Sequence, residues 1–292
     1  MNVCVLSIID KWRIIMALIQ MSLMSQSLLR TVPVSVVLPA DKMIIKGKPV
    51  RENKPYKTLY LLHGIYGSNM DWLNGTNIYR WAEERDLAVV MPSGDNMFYI
   101  DQEKPHNYYG EFIGKELVEL TRKIFPLSHK REDTYIAGLS MGGYGAVRNG
   151  LKYYETFGYI AGLSSAFVIE GLKNRTNDIS TYIRTKAFAE SCFGALDKVE
   201  EGDLNPLWLA KELIKKRVKL PCLYLCCGNK DFLLETNKSF YNRIKDMGYN
   251  VVFEVGPGGH DWDFWNGYIK KVLEWLPLEE ELTGLNSGNV EE

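Results

Sequence analysis

What most constrains this chain is a short apolar run, Thr134-Tyr-Ile-Ala-Gly-Leu139, that passes through Ser140 directly into the small-residue stretch Met141-Gly-Gly-Tyr-Gly-Ala146. A continuous apolar run without alternation is the pattern of a strand covered on both faces, and such strands belong to parallel sheets. Gly138-Leu-Ser-Met-Gly142 has the form G-x-S-x-G. Between a strand and a helix this motif makes a sharp turn that lifts the serine hydroxyl above the sheet edge, and the small flanking residues let the backbone bend without clashing. The pentapeptide alone recurs by chance, so its chemistry depends on whether partners for Ser140 exist elsewhere.

The rest of the chain repeats the strand-then-helix rhythm. Ala17 to Leu38 alternates, breaks at Arg30-Thr31 and carries Pro33, which predicts an antiparallel edge hairpin. Thr58 to Leu62, Leu87 to Met91, Tyr159 to Leu163, Leu220 to Cys226 and Asn250 to Val255 read as further strands. Helices are expected over Ile78 to Asp86, Glu111 to Phe125 (with Ile113, Leu117, Leu120 and Ile124 at helical spacing), Met141 to about Tyr153, Glu235 to Met247 and Asp261 to Leu276. Strands separated by helices call for an α/β fold with a mostly parallel sheet and helices on both faces. Residues 164–219 break the rhythm. They read as a lid-like insertion over the carboxyl edge of the sheet, with a crossover helix flanked by long loops as the alternative.

Composition removes several function classes. Lys+Arg 35 against Asp+Glu 36 gives a formal charge of -1, which offers no electrostatic basis for binding nucleic acid or an anionic membrane. The 5 cysteines are odd in number and follow neither disulfide nor zinc spacing, so no metal is expected and a reducing, cytoplasmic compartment fits best. No run reaches the ~20 apolar residues of a membrane span. Residues 1–15 fit no element and lack a basic leader and cleavage site, so they are expected to be an extension, with Met16 as an alternative start. The main domain is placed at 16–277, and the acidic Gly- and Asn-containing tail, 278–292, is expected to fray.

A serine hydroxyl is a weak nucleophile at neutral pH and needs a base. The chain has 4 histidines, so elimination is informative. His129 sits in a charged turn, His106 in a polar loop, and His63 ends a buried strand upstream of the serine. His260 remains, in the glycine loop Gly256-Pro-Gly-Gly-His between the last strand and the last helix. A carboxylate must hold the imidazole tautomer, and Asp231 follows the strand ending at Cys226. A helix cap is the competing reading for Asp231. The order Ser140, Asp231, His260 is the one used by α/β-hydrolases. Backbone N–H groups to hold a developing oxyanion are expected from Met141 and from Ile65, in the loop His63-Gly-Ile-Tyr-Gly67. Tyr66, Trp72, Tyr144 and Trp208 are candidate pocket aromatics, with packing as the competing role for each.

Leu62-His-Gly-Ile-Tyr-Gly-Ser68, Ala137-Gly-Leu-Ser-Met-Gly-Gly-Tyr-Gly-Ala146, Gly228-Asn-Lys-Asp231 and Gly259-His-Asp-Trp262 together resemble the esterase D-type family of α/β-hydrolases. That group includes tributyrin esterases, S-formylglutathione hydrolases, and feruloyl and acetylxylan esterases, and the similarity runs from about Met16 to Leu276. The resemblance, closest to the tributyrin esterases, implies a serine carboxylesterase without a cofactor, acting on a small ester, preferring short acyl chains and self-associating as dimers or tetramers. Thioester hydrolysis and release of feruloyl or acetyl groups from plant-polysaccharide fragments are the alternatives within enzymes. A noncatalytic binding protein on the same fold is the alternative outside them.

Overall fold

A computed structural model describes residues 15–41, 54–102 and 105–278. The expectations for residues 1–14 and 279–292 lie outside the described residues. Eight strands form one sheet: β1 (Ile15–Ser25), β2 (Arg30–Asp41), β3 (Lys57–Leu62), β4 (Leu87–Pro92), β5 (Thr134–Leu139), β6 (Tyr159–Leu163), β7 (Cys222–Gly228) and β8 (Val251–Gly256), in the order β1-β2-β4-β3-β5-β6-β7-β8. The β1–β2 and β2–β4 pairs are antiparallel and all others parallel. The helices are α1 (Asp71–Gly75), α2 (Ile78–Glu83), α3 (Tyr109–Glu111), α4 (Leu117–Ile124), α5 (Met141–Lys152), α6 (Lys186–Phe193), α7 (Pro206–Lys216), α8 (Leu234–Asp246) and α9 (Trp262–Trp275).

The central strands are apolar throughout because both faces are covered. Along β3, Tyr60 and Leu62 enter one core with α4, α5, α7 and α8, while Leu59 and Leu61 enter a second with α1, α2 and α9. β4 and β5 divide in the same way: Val90 and Ile136 face the first core, Val89 and Ala137 the second. This alternation follows from the two-residue period of a strand. Burying each of the valine, leucine and isoleucine side chains among them contributes roughly 1.5–3 kcal/mol.

The hairpin β1–β2 is antiparallel as expected, but only β1 is the edge. Pro33 is tolerated inside β2 because the β4 ladder begins one residue later, at Val34, and the Pro33 carbonyl accepts from Ser93 N–H (3.0 Å) past the end of β4. The helix expected from Glu111 to Phe125 also differs from a simple periodic one. Between α3 and α4 lies a π-helical turn, Phe112–Glu116, and its wider winding rotates the face that follows. Phe112, Ile113, Leu117, Val118 and Thr121 are therefore buried, whereas Ile124, placed on the same face by plain helical spacing, is exposed.

Residues 164–219 divide into two parts. α7 packs on α5 and α8 and serves as the crossover from β6 to β7. Before it, two 3-10 turns and α6 form an excursion. Arg148 of α5, with no exposed surface, ties it down through Asp203, to the carbonyl (2.9 Å) and the carboxylate (2.8 Å). Among the described residues no helix is long and apolar enough to cross a membrane.

Candidate active site

β5 ends where α5 must start at once, and Ser140 takes up the turn with φ 53 and ψ -116. Such a conformation in a non-glycine residue costs on the order of 1–3 kcal/mol and persists only where its surroundings hold it. Here Ser140 N–H donates to Leu163 O (2.9 Å), and its carbonyl accepts from Tyr144 N–H (3.0 Å) and Ala166 N–H (2.9 Å). Gly142 allows the helix to approach β3: a Cβ there would lie 2.4 Å from Leu62 O and 2.5 Å from His63 O.

Three side chains from the carboxyl ends of separate strands meet at this turn. His260 Nε2 is 3.0 Å from Ser140 Oγ, and His260 Nδ1 is 2.9 Å from Asp231 Oδ2. The second Asp231 oxygen accepts from Leu233 N–H (2.8 Å). Burial would raise the pKa of Asp231, but hydrogen bonds from His260, Leu233 N–H and Ser164 outweigh it and hold the carboxyl below its ordinary value. The anion therefore persists at neutral pH with its side chain fully covered. An ionised Asp231 accepts from Nδ1–H, which leaves the Nε2 lone pair facing the serine hydroxyl.

The loop after β3 passes directly beside the serine. A Cβ on Gly64 would be 2.6 Å from Leu139 Cδ1 and 3.6 Å from the Ser140 Cβ. His63 braces this loop. Its Nε2 accepts from Gly94 N–H (2.9 Å), so Nδ1 carries the proton and donates to Gly64 O (2.6 Å). Burial lowers its pKa, consistent with a neutral ring that spans the ends of β3 and β4. Tyr99 OH donates to His63 O (3.0 Å), and Tyr66 N–H donates to Asn96 Oδ1 (2.7 Å). Ile65 N–H lies between these braces, inside the turn closed by Gly67 N–H to Gly64 O (3.2 Å). Met141 N–H, the first of α5, has no acceptor within the helix.

The four candidate aromatics separate. Tyr66 is 73% exposed beside the loop. Trp208 lies partly exposed on α7. Trp72 and Tyr144 are core residues with no free surface for a ligand: Trp72 Nε1 donates to Leu62 O (3.0 Å) and packs edge-on against Trp262, while Tyr144 OH donates to Leu204 O (2.5 Å) with its ring between Phe98 and Phe193. Proximity to a motif in sequence misplaces them because the helical turn points these rings back into the core. His129 and His106 are exposed.

Residues not singled out from sequence complete the surroundings. Ser164 is fully buried with φ 47; its hydroxyl accepts from Trp265 Nε1 (3.2 Å) and bonds Asp231. The Trp265 ring stands edge-on to His260 at 4.9 Å. Phe232, next to Asp231 in the chain, is 65% exposed with its ring 4.7 Å from that of His260. Only their adjacency to strand ends and to Asp231 could have drawn attention to them. Among the described residues no group of His, Cys, Asp and Glu is arranged to hold a metal.

The family profile described as "Putative esterase" matches residues 25–276. The chain is 41% identical over 261 residues to an acetyl esterase of Caldicellulosiruptor saccharolyticus, covering 89% of this chain and 98% of that protein. Among solved structures, a substrate-bound fluorophosphonate-binding serine hydrolase of Staphylococcus aureus superposes with a TM-score of 0.77 at 32% identity, over 89% of this chain and 98% of the other. An S-formylglutathione hydrolase from the same organism gives 0.76 at 32% identity with the same coverage. With its mostly parallel eight-stranded sheet, helices on both faces and an extent matched almost from end to end, this chain belongs to the Esterase family of α/β-hydrolases.

Proposed function

We propose that the protein is a serine carboxylesterase that hydrolyses short-chain acyl esters through an acyl-enzyme. The observation that carries this reading is the continuous chain from Ser140 Oγ to His260 Nε2 (3.0 Å) and from His260 Nδ1 to Asp231 (2.9 Å). Ser140 Oγ attacks the ester carbonyl while its proton passes to His260 Nε2. Asp231 holds the ring in the productive tautomer and stabilises the imidazolium. The oxyanion of the tetrahedral intermediate is held by the N–H groups of Met141 and Ile65, whose positions are set by the start of α5 and by the braced loop after β3. Collapse of the intermediate breaks the ester bond, and His260 gives its proton to the departing alcohol. Water then repeats the sequence against the acyl-Ser140 ester, releasing the acid and restoring the serine.

The short-chain preference is supported by the acetyl esterase relative. Tyr66, exposed at the loop, is the one original aromatic candidate that this reading keeps beside the substrate. The free thiols of Cys192, Cys222, Cys226 and Cys227 support a reducing, cytoplasmic setting.

The test is steady-state hydrolysis of nitrophenyl esters from acetyl to octanoyl, with methyl ferulate and S-formylglutathione alongside, and mass-spectrometric mapping of a fluorophosphonate adduct. Turnover highest on acetyl and butyryl esters is expected, together with an adduct on Ser140 and loss of both in Ser140→Ala. Turnover confined to S-formylglutathione would replace the substrate class. Wild-type turnover in Ser140→Ala would remove the nucleophile. Self-association into dimers or tetramers is read by sedimentation equilibrium, and a purely monomeric species removes it.

A further inference from the structure

Phe232 is a large, mostly exposed ring that touches the imidazole of His260, with ring centres 4.7 Å apart. The guanidinium of Arg184 stands 5.8 Å from the centre of that same ring. Arg175 donates to Ile183 O (3.0 Å) in the turn that carries Arg184; burial lowers its pKa, and the positive charge of Arg184 adds to that in a small way. Among the described residues neither arginine has a carboxylate within salt-bridge distance. The acids of the neighbouring cavity, about 480 Å³ and lined in part by Arg175, are already engaged: Glu170 pairs with Arg243, and Glu235 pairs with Lys238.

Arg184 is solvent-exposed and Arg175 partly so, which leaves the Arg184 guanidinium hydrated and free to take an incoming anion. The place of Arg184 over Phe232, whose ring adjoins His260, says which anion that would be. In the ester hydrolysis proposed above, His260 Nε2 hands its proton to the departing alcohol, so the alcohol lies against His260 and whatever flanks it. Phe232 flanks it, and Arg184 covers Phe232. We infer that Phe232 and Arg184 form a leaving-group site for an alcohol that carries a carboxylate, with the apolar body of the alcohol on Phe232 and the carboxylate on the Arg184 guanidinium. Arginine suits this role because its planar fork matches a carboxylate and stacks on an aromatic ring at the same time. Arg175 adds to the field without touching the leaving group.

The inference rests on the esterase reading, and the experiment separates the two. Two aryl acetates of nearly equal shape serve as probes, 3-acetoxybenzoate and the neutral 3-acetoxybenzamide, with spontaneous hydrolysis subtracted. The quantity read is the ratio of kcat/KM for the anion to that for the amide, within each variant, so that a general loss of folding or activity cancels. The wild type should favour the anion by about fivefold, as expected of a partly exposed charge pair. Arg184→Gln should bring the ratio to about 1, and Arg184→Lys should retain part of it. Raising the ionic strength should lower the wild-type ratio and leave that of Arg184→Gln unchanged. A wild type that hydrolyses both probes with no preference, or an Arg184→Gln variant with the wild-type ratio, overturns the leaving-group site and leaves the esterase reading standing. A wild type inactive on both probes and on 4-nitrophenyl acetate overturns the esterase reading and this inference with it.

Discussion

Replacing Gly142 by alanine tests a close approach between the elbow helix and the sheet. The new Cβ would lie 2.4 Å from Leu62 O, 2.5 Å from His63 O and 2.7 Å from Leu62 C, all backbone atoms that cannot rotate away. Real Cβ contacts do not fall below 3.0 Å, so α5 and the end of β3 must separate by at least about 0.6 Å. Both sides of that contact belong to the site. Ser140 precedes Gly142 by two residues and sits 3.0 Å from His260, and His63 opens the loop that carries Ile65 N–H. A misplacement of ~1 Å costs about 10²-fold in rate, so a shift of this size should lower kcat roughly ten- to a hundredfold. Overpacking of this kind destabilises by about 1–3 kcal/mol, which a domain of typical stability survives folded. The assay is kcat on 4-nitrophenyl acetate and the rate of fluorophosphonate labelling, with a urea melt on the same preparation. Gly171→Ala is the control, since nothing lies within 4 Å of the position its Cβ would take. A Gly142→Ala enzyme with wild-type kcat, labelling rate and stability would refute the packing argument.

Three further outcomes are expected. Ser164→Ala and Trp265→Phe each interrupt the chain from Trp265 Nε1 through Ser164 to Asp231, and each should lower kcat about tenfold; the double variant should be little worse than Ser164→Ala alone, a non-additivity read from a double-mutant cycle. Burial lowers the pKa of His63 below its ordinary value of 6.5, so the unfolded chain takes up this proton first as pH falls. The stabilisation from the neutral ring is then complete above pH 6.5 and declines below it, and the gap in urea midpoint between wild type and His63→Asn should narrow on acidification. Arg148→Met leaves Asp101 and Asp203 without the buried guanidinium between them; a loss of about 2–4 kcal/mol in unfolding free energy is expected, with faster proteolytic cleavage in residues 164–205, because Asp203 is one of that segment's ties to α5.

How legible each part was follows from how local its cause is. The central strands could be read because burial on both faces demands unbroken apolar runs, and Thr58 to Leu62 and Thr134 to Leu139 have them. The meeting of Ser140, Asp231 and His260 was legible because Ser140 stands in a G-x-S-x-G turn after an apolar strand, and 4 histidines leave little choice of partner for it. The π-helical turn at Phe112–Glu116 was not legible, since a single widened turn changes which residues face inward without changing their apolar content. The same limit explains Trp72 and Tyr144. Both are aromatic and adjacent to motifs, but their direction is set by Leu62 O and Leu204 O, acceptors supplied by other parts of the chain. Ser164 escaped notice for a related reason: nothing in Leu163-Ser-Ser-Ala166 distinguishes a hydroxyl that bonds Asp231 from one that ends a strand. The leaving-group side lies furthest from any sequence signal. Phe232 follows a strand and Arg184 belongs to an excursion with no periodicity, and only the fold brings the arginine over the ring beside His260. A reaction leaves its mark in sequence because its chemistry needs particular residues, whereas selection among substrates is made by common residues in uncommon places. The proposed nucleophile and base and the proposed leaving-group site are thus set by different parts of the chain, and residues 164–205, which carry Arg184, are the segment where a preference among alcohols would be built.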